Sequence, residues 1–229
     1  HIKQNYDLAE NLYNKVLKID PNNVDASFLL GTLFLQKKNL KKATELFNEV
    51  IKIKPDHVNA IHNLAYTLIE MGKPREAKKL LNQVISMKPN HTDALYNLAN
   101  VYKHLGEFHE AENFYNKAIE IEPNNAKVHN NLGNVLKELG KYKEAINSYS
   151  KAIQIQRNHV NAYHNLGNTY KQLGDFKKAK EFYKKSSHYH PGNLETHWIL
   201  SGLDEDILNI ELKKNVKIII KSEKASQKN

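Results

Sequence analysis

An all-α solenoid of stacked antiparallel helix pairs is the fold class these 229 residues predict. Three observations predict it: a period of 34 residues, small and large apolar residues at fixed places within that period, and glycine and proline recurring at the predicted helix ends. A repeat array uses this length without one large core, because each unit packs only on its neighbours.

Val24, Val58, Thr92, Ala126 and Val160 stand 34 residues apart. Five units therefore cover 24–57, 58–91, 92–125, 126–159 and 160–193 with no insertion or deletion. Position 7 of each unit is Leu30, Leu64, Leu98, Leu132 or Leu166, and position 8 is small: Gly31, Ala65, Ala99, Gly133, Gly167. Position 20 is Ala43, Ala77, Ala111, Ala145 or Ala179, and position 24 is large: Phe47, Leu81, Tyr115, Tyr149, Tyr183. Small residues let two helices approach closely, and large ones fill the space beside the contact. Gly72, Gly106, Gly140 and Gly174 at position 15 suit the left-handed conformation that ends a helix. Pro55, Pro89, Pro123 and Pro191 at position 32 remove a backbone donor and stop the second helix, with Arg157 the exception. Each unit thus reads as helix A over about positions 1–14 and helix B over about 18–30, with apolar spacing of three and four in both.

The ends depart from this frame. Residues 1–23 place Ala9, Tyr13 and Pro21 at positions 20, 24 and 32, with Tyr6 in the A–B turn, so they predict helix B of a truncated repeat. An orphan helix B points to a piece of something longer, since a terminal unit normally carries a polar cap. Residues 194–221 begin another helix A, with Leu200 at position 7 and Ser201 at position 8. They continue through Asp204-Glu205-Asp206 into a capping helix with Leu208, Leu212, Val216 and Ile219 at helical spacing. Residues 222–229 read as a disordered tail.

Leu followed by Gly or Ala at positions 7–8, an aromatic or Leu at 11, Ala at 20, Tyr or Phe at 24 and Pro at 32 resemble the tetratricopeptide repeat family. The resemblance implies a right-handed superhelix whose concave groove, lined by the A helices, receives a peptide or partner segment. It also implies that positions 2, 5, 6, 9, 12 and 13 face that groove. Position 6 carries Asn63, Asn97, Asn131 and Asn165, and position 9 carries Asn100, Asn134 and Asn168. Asn is a poor residue inside a helix, because its side chain competes for backbone hydrogen bonds. Seven copies at two positions therefore ask for another reason.

One reading is a grip on an extended chain, since a carboxamide donates and accepts at once. It is similar to the asparagine ladder of the O-linked N-acetylglucosamine transferase repeat arm. The other reading, from the family consensus, is that these amides join one unit to the next. Lys103, Lys137 and Lys171 at position 12 form a basic row suited to an acidic partner or to solvent. His62, Tyr96 and His164 at position 5 are candidate side-chain selectors, and Trp198 at the same position is expected to pack under the C-terminal helix. The clamp that a chaperone-binding subset of the family uses for a C-terminal carboxylate is absent: position 5 has no Lys and position 6 no Arg.

Composition narrows the chemistry. No cysteine means no disulfide, thiolate metal site or cysteine nucleophile, and it fits a reducing compartment, taken as the cytoplasm. No apolar run reaches membrane-spanning length, and no apolar leader is visible at the N-terminus. The net charge is +9, but six Lys and two Glu lie between Glu211 and Asn229, so much of the basic bias is a tail and nucleic acid is not an expected partner. No phosphate loop or hydrolase triad is present, and the twelve His are scattered by the repeat; His57, His91 and His159 fall in the inter-unit turn as surface residues. No cofactor is expected. The expectation is a non-catalytic protein-interaction scaffold that binds a partner segment in its groove, with self-association through the terminal helices. The alternative is the substrate-recruiting arm of a larger glycosyltransferase or sulfotransferase.

Overall fold

A computed structural model describes residues 2–203, and it divides into two units. The expected capping helix beyond Leu203 and the tail at 222–229 lie outside the described residues.

The first unit, His1–Ile121, holds α1 (Ile2–Ile19), α2 (Val24–Gln36), α3 (Leu40–Ile53), α4 (Val58–Glu70), α5 (Pro74–Met87), α6 (Thr92–His104) and α7 (Phe108–Ile121). Helices α2 and α3, α4 and α5, and α6 and α7 pack as pairs, and α3 on α4 and α5 on α6 join successive pairs. The second unit, from Glu122, holds α8 (Ala126–Glu138), α9 (Tyr142–Ile155), α10 (Val160–Gln172), α11 (Phe176–Tyr189) and α12 (Leu194–Leu203). It pairs α8 with α9 and α10 with α11, and joins α9 to α10 and α11 to α12. Within each unit this is an α-solenoid, and no strand occurs among the described residues.

The close approach at position 8 is real and tight. A Cβ added at Gly133 would stand 2.5 Å from the Tyr149 ring, and one at Gly167 2.7 Å from Tyr183. Each of these Tyr side chains is fully buried, as is the position-20 Ala one turn before it. Burying an aromatic side chain supplies a few kcal/mol of transfer free energy, so the pair's closure is concentrated at this one crossing.

Helix A ends where position 15 turns left-handed. Gly72 has φ 74°, and the next residue, Lys73, donates its N–H to Leu68 O at 2.9 Å, closing the last turn. In the first repeat the same place is filled by Lys38 at φ 58°, the one non-glycine in that region among the described residues. At the start of the chain Gln4 holds this place. Ile2–Ile19 is one continuous helix there, so the turn expected around Tyr6 is not made.

Proline is not needed to end helix B. α9 stops at Ile155 although Arg157 replaces the proline, and the His159 N–H bonds Gln156 O at 3.0 Å in a tight turn. Position 34 then opens the next helix A. Asn23, Asn125 and Asn193 accept through their side-chain oxygen from the N–H three residues on, at 2.9, 3.4 and 3.0 Å. His57, His91 and His159 do the same through Nδ1, at 3.1, 3.3 and 3.3 Å. The expectation of plain surface histidines is thereby corrected: they are helix caps, and only a neutral Nδ1 can accept.

Candidate functional site

The candidate residues all stand on A helices, at a spacing that places positions 6 and 9 one above the other on a single face. All seven Asn are half-buried.

Position 9 is committed to the helix pair. The hydroxyls of Tyr115, Tyr149 and Tyr183 donate to the Oδ1 atoms of Asn100, Asn134 and Asn168, at 2.6, 2.8 and 2.7 Å. These Tyr rings fill the pair's closest crossing, so their hydroxyls need a partner that a purely apolar core would not supply. Burial, with a smaller push from Glu195, raises Tyr183 to about 12, so it stays a donor at all physiological pH.

At position 6, Asn63, Asn97 and Asn165 reach the preceding repeat. Asn63 Nδ2 donates to Thr32 Oγ1 at 3.4 Å, and Asn97 Nδ2 to His62 Nε2 at 3.1 Å. In the second unit Asn165 Nδ2 donates to Asn130 Oδ1 at 3.0 Å, and Asn130 Nδ2 to Asn131 Oδ1 at 3.4 Å. So at position 9 the amide oxygen is used, while at position 6 Asn63, Asn97 and Asn165 use the amide nitrogen and Asn131 the oxygen. Among the described residues no acceptor takes Nδ2 of Asn134 or Asn168, and no donor reaches Oδ1 of Asn165.

Each position-5 candidate rests against a neighbouring ring. The His62 ring lies 4.8 Å from His91, Tyr96 lies 6.1 Å from Tyr115, and His164 meets Tyr183 edge-on at 5.5 Å. His164 also contacts Thr196 Oγ1 through Nδ1 at 3.0 Å and stands 3.8 Å from Glu195 through Nε2. Burial holds both imidazoles below their usual value; the cap ring of His91 adds to this at His62, while Glu195 opposes it at His164. Trp198 is 77% exposed, and the helix expected to cover it lies outside the described residues.

The lysines of position 12 do not share one environment. Lys103 is half-buried, its ammonium pushed down by burial, with no carboxylate partner among the described residues. Lys137 lies 3.5 Å from Glu138, and Lys171 is exposed.

Two further histidines belong to the scaffold and were missed in the sequence. The buried His129 contacts Pro123 O through Nε2 at 2.9 Å, and the buried His197 contacts Pro191 O in the same way. Each ties position 4 back to the carbonyl at position 32 of the preceding turn. A His six residues after a turn proline is the only signal that would have found them. Among the described residues no three metal-ligating side chains are grouped to hold an ion, and no helix is long and apolar enough to cross a membrane.

Comparison with known proteins agrees with this architecture. A family profile described as tetratricopeptide repeat matches residues 2–66 and 68–135, and related repeat profiles match 133–174 and 160–193. Among curated protein sequences none matches the chain. Solved structures share the fold. PilW, a type IV pilus biogenesis factor, is 21% identical with a TM-score of 0.77, over 86% of this chain and 92% of its own. YrrB, described as a TPR protein with an unusual peptide-binding site, is 18% identical with a TM-score of 0.69, over 82% and 96%. MamA is 23% identical with a TM-score of 0.67, over 75% and 94%.

Proposed function

The chain belongs to the tetratricopeptide repeat family, and from that premise we propose that it is a non-catalytic scaffold that holds an extended segment of a partner protein along its helix-A face. The observation that carries this reading is the divided use of the amides. In repeat 5, Asn165 keeps an oxygen and Asn168 keeps two N–H groups, one helical turn apart and half-exposed. An acceptor and a donor so placed match the N–H and C=O of a peptide backbone, whatever its side chains. Asn134 repeats the donor one unit earlier. Lys137 and His164 beside them add polar side chains that can select among sequences, and the peptide-binding site of YrrB offers a precedent for the fold.

The test must remove the spare donors without breaking the helix pair. Asn134→Asp and Asn168→Asp keep an oxygen for the Tyr149 and Tyr183 hydroxyls and delete the N–H groups. Peptides selected on the 229-residue chain from a random display library are rebound to each variant. Weakened binding at an unchanged melting temperature is expected; undiminished binding in both variants removes the amides from the site.

A further inference from the structure

We propose that a cavity in the second repeat binds an aromatic side chain of a partner polypeptide, presented with a carboxylate beside it. The cavity measures 380 Å³, within the range of about 300–1,000 Å³ usual for ligand pockets. None of the seven asparagines of the helix-A face lines it, so it is a second surface, independent of the amides.

Other repeats fill the corresponding place from within. In repeat 3 Tyr102, at position 11, stacks on Phe114, at position 23, with centroids 5.3 Å apart and 9° between the planes. In repeat 5 Tyr170 stacks on Phe182 at 5.4 Å and 1°. An ammonium covers each tyrosine ring: Lys78 Nζ stands 4.2 Å from the Tyr102 centroid, and Lys178 Nζ 5.1 Å from Tyr170. A carboxylate at position 16 holds that ammonium, Glu107 at 2.8 Å and Asp175 at 3.1 Å. Repeat 1 keeps a simpler form, with Lys42 Nζ 4.7 Å from Phe34 and Leu46 at position 23.

Repeat 2 supplies no ring. Position 11 is Leu68 and position 23 is Leu80, and both line the cavity. The rest of the lining comes from the positions that build the stack elsewhere: Thr44 at 21, where Lys78 stands in repeat 2 over Tyr102; Lys73 at 16, where Glu107 and Asp175 stand; and Glu76 at 19, where Lys178 stands. The void therefore lies where repeats 3 and 5 place a tyrosine. Repeat 4, with Leu136 and Ser148, has no apolar wall at position 23.

Charge selects what accompanies the ring. Lys73 replaces the acid of position 16, and its one carboxylate among the described residues, Glu76 at 3.5 Å, is exposed and contributes little. Lys79, also lining the cavity, has no carboxylate partner among the described residues. A ring entering between Leu68 and Leu80 thus meets ammonium groups that lack the acid found in repeats 3 and 5, and a partner that brings both restores ring, ammonium and carboxylate together.

The two methionines report the contact. Met71 lines the cavity, and Met87, the last residue of α5, does not. The 229-residue chain is labelled with [methyl-13C]methionine, and the tetrapeptide acetyl-Gly-Phe-Glu-Gly-amide is titrated in. Expected is a saturable upfield shift of the Met71 methyl, from the ring current, while Met87 stays in place. Replacing Phe by Leu in the peptide removes the shift, and replacing Glu by Lys weakens binding about fivefold. Leu68→Tyr combined with Leu80→Phe rebuilds the stack of repeats 3 and 5 and weakens binding by about tenfold or more, as loss of a central pocket does. Circular dichroism checks that this variant folds; if it does not, Leu68→Phe, which copies the Phe34 and Leu46 of repeat 1, takes its place. A Met71 signal that does not move, an equal shift at Met87, binding indifferent to either peptide change, or undiminished binding to the filled variant overturns the proposal.

Discussion

Repeats 1 and 2 and repeats 4 and 5 share one 34-residue frame but close their helix pairs differently. In repeat 1 the crossing is filled by Phe47 and position 9 is Thr32; in repeat 2 it is filled by Leu81 and position 9 is Tyr66. In repeats 4 and 5 the crossing holds Tyr149 and Tyr183, and position 9 is Asn134 and Asn168, each bonded to the hydroxyl. Repeat 3, with Tyr115 and Asn100, follows the second pattern. The Asn appears where the buried ring carries a hydroxyl and is absent where it does not. One copy of the chain thus contains its own control: the position-9 amide follows the demand of a buried phenol, and a partner takes what that bond leaves over.

Breaking the tyrosine side of this pairing has the largest effect. Tyr149→Ala opens a cavity at a fully buried site and orphans Asn134, at a cost of about 3–5 kcal/mol. Calorimetric unfolding measures it, and a loss no larger than that of an exposed substitution contradicts the packing described. Asn134→Ala leaves a buried hydroxyl without its partner and lowers stability by about 1–3 kcal/mol. Adding Tyr149→Phe to it recovers part of the loss, because the hydroxyl that needed the amide is gone. A double-mutant cycle that finds the two changes additive removes the link between positions 9 and 24.

The half-buried histidines sharpen the comparison on a different axis. His62, His159 and His164 are held below their usual value, by burial first, so the folded chain keeps them neutral. The unfolded chain takes up protons as pH falls through about 6.5, and the folded chain does so only at lower pH. Stability is therefore full above that value and declines as pH drops toward the lowered ones. Denaturant midpoints at about pH 7.5 and about pH 5.5 show the slope. His159→Asn keeps the cap in the form used at Asn23 and Asn125, so it flattens part of the slope with little change near neutrality.

The smallest effect separates repeat 1 from its neighbours. Lys38 holds the left-handed conformation that Gly72, Gly106, Gly140 and Gly174 hold elsewhere. Lys38→Gly relieves that strain and gains about 1 kcal/mol, set against loss of an exposed contact to Glu70 at 2.6 Å. A midpoint that falls instead means the ion pair outweighs the backbone term.

Much of the fold was legible in the residues because period, helix ends and close crossings are local or strictly repeated quantities. Gly72 and its equivalents announce a left-handed turn, and Ala at position 20 with Leu, Phe or Tyr at position 24 announces a tight crossing. Less of the candidate site was legible. The seven asparagines were visible as an oddity, but a carboxamide has two ends. The letter Asn does not say that Tyr183 takes the oxygen of Asn168, or that Asn130 takes an N–H of Asn165. His57, His91 and His159 were visible as a repeat, yet their role as caps depends on a ring nitrogen meeting a particular N–H at about 3 Å, which is a matter of rotamer and not of spacing.

The amino-acid order alone established the helix pairs, their register and their family, because a constant 34-residue spacing of small, large and turn-forming residues admits no other regular packing. Two things waited on packing: which half of each amide was already spent, and which ring nitrogen of His57, His91 and His159 met a backbone N–H. Each is a property of two groups brought within bonding distance, and such a bond exists only once both have been set in place.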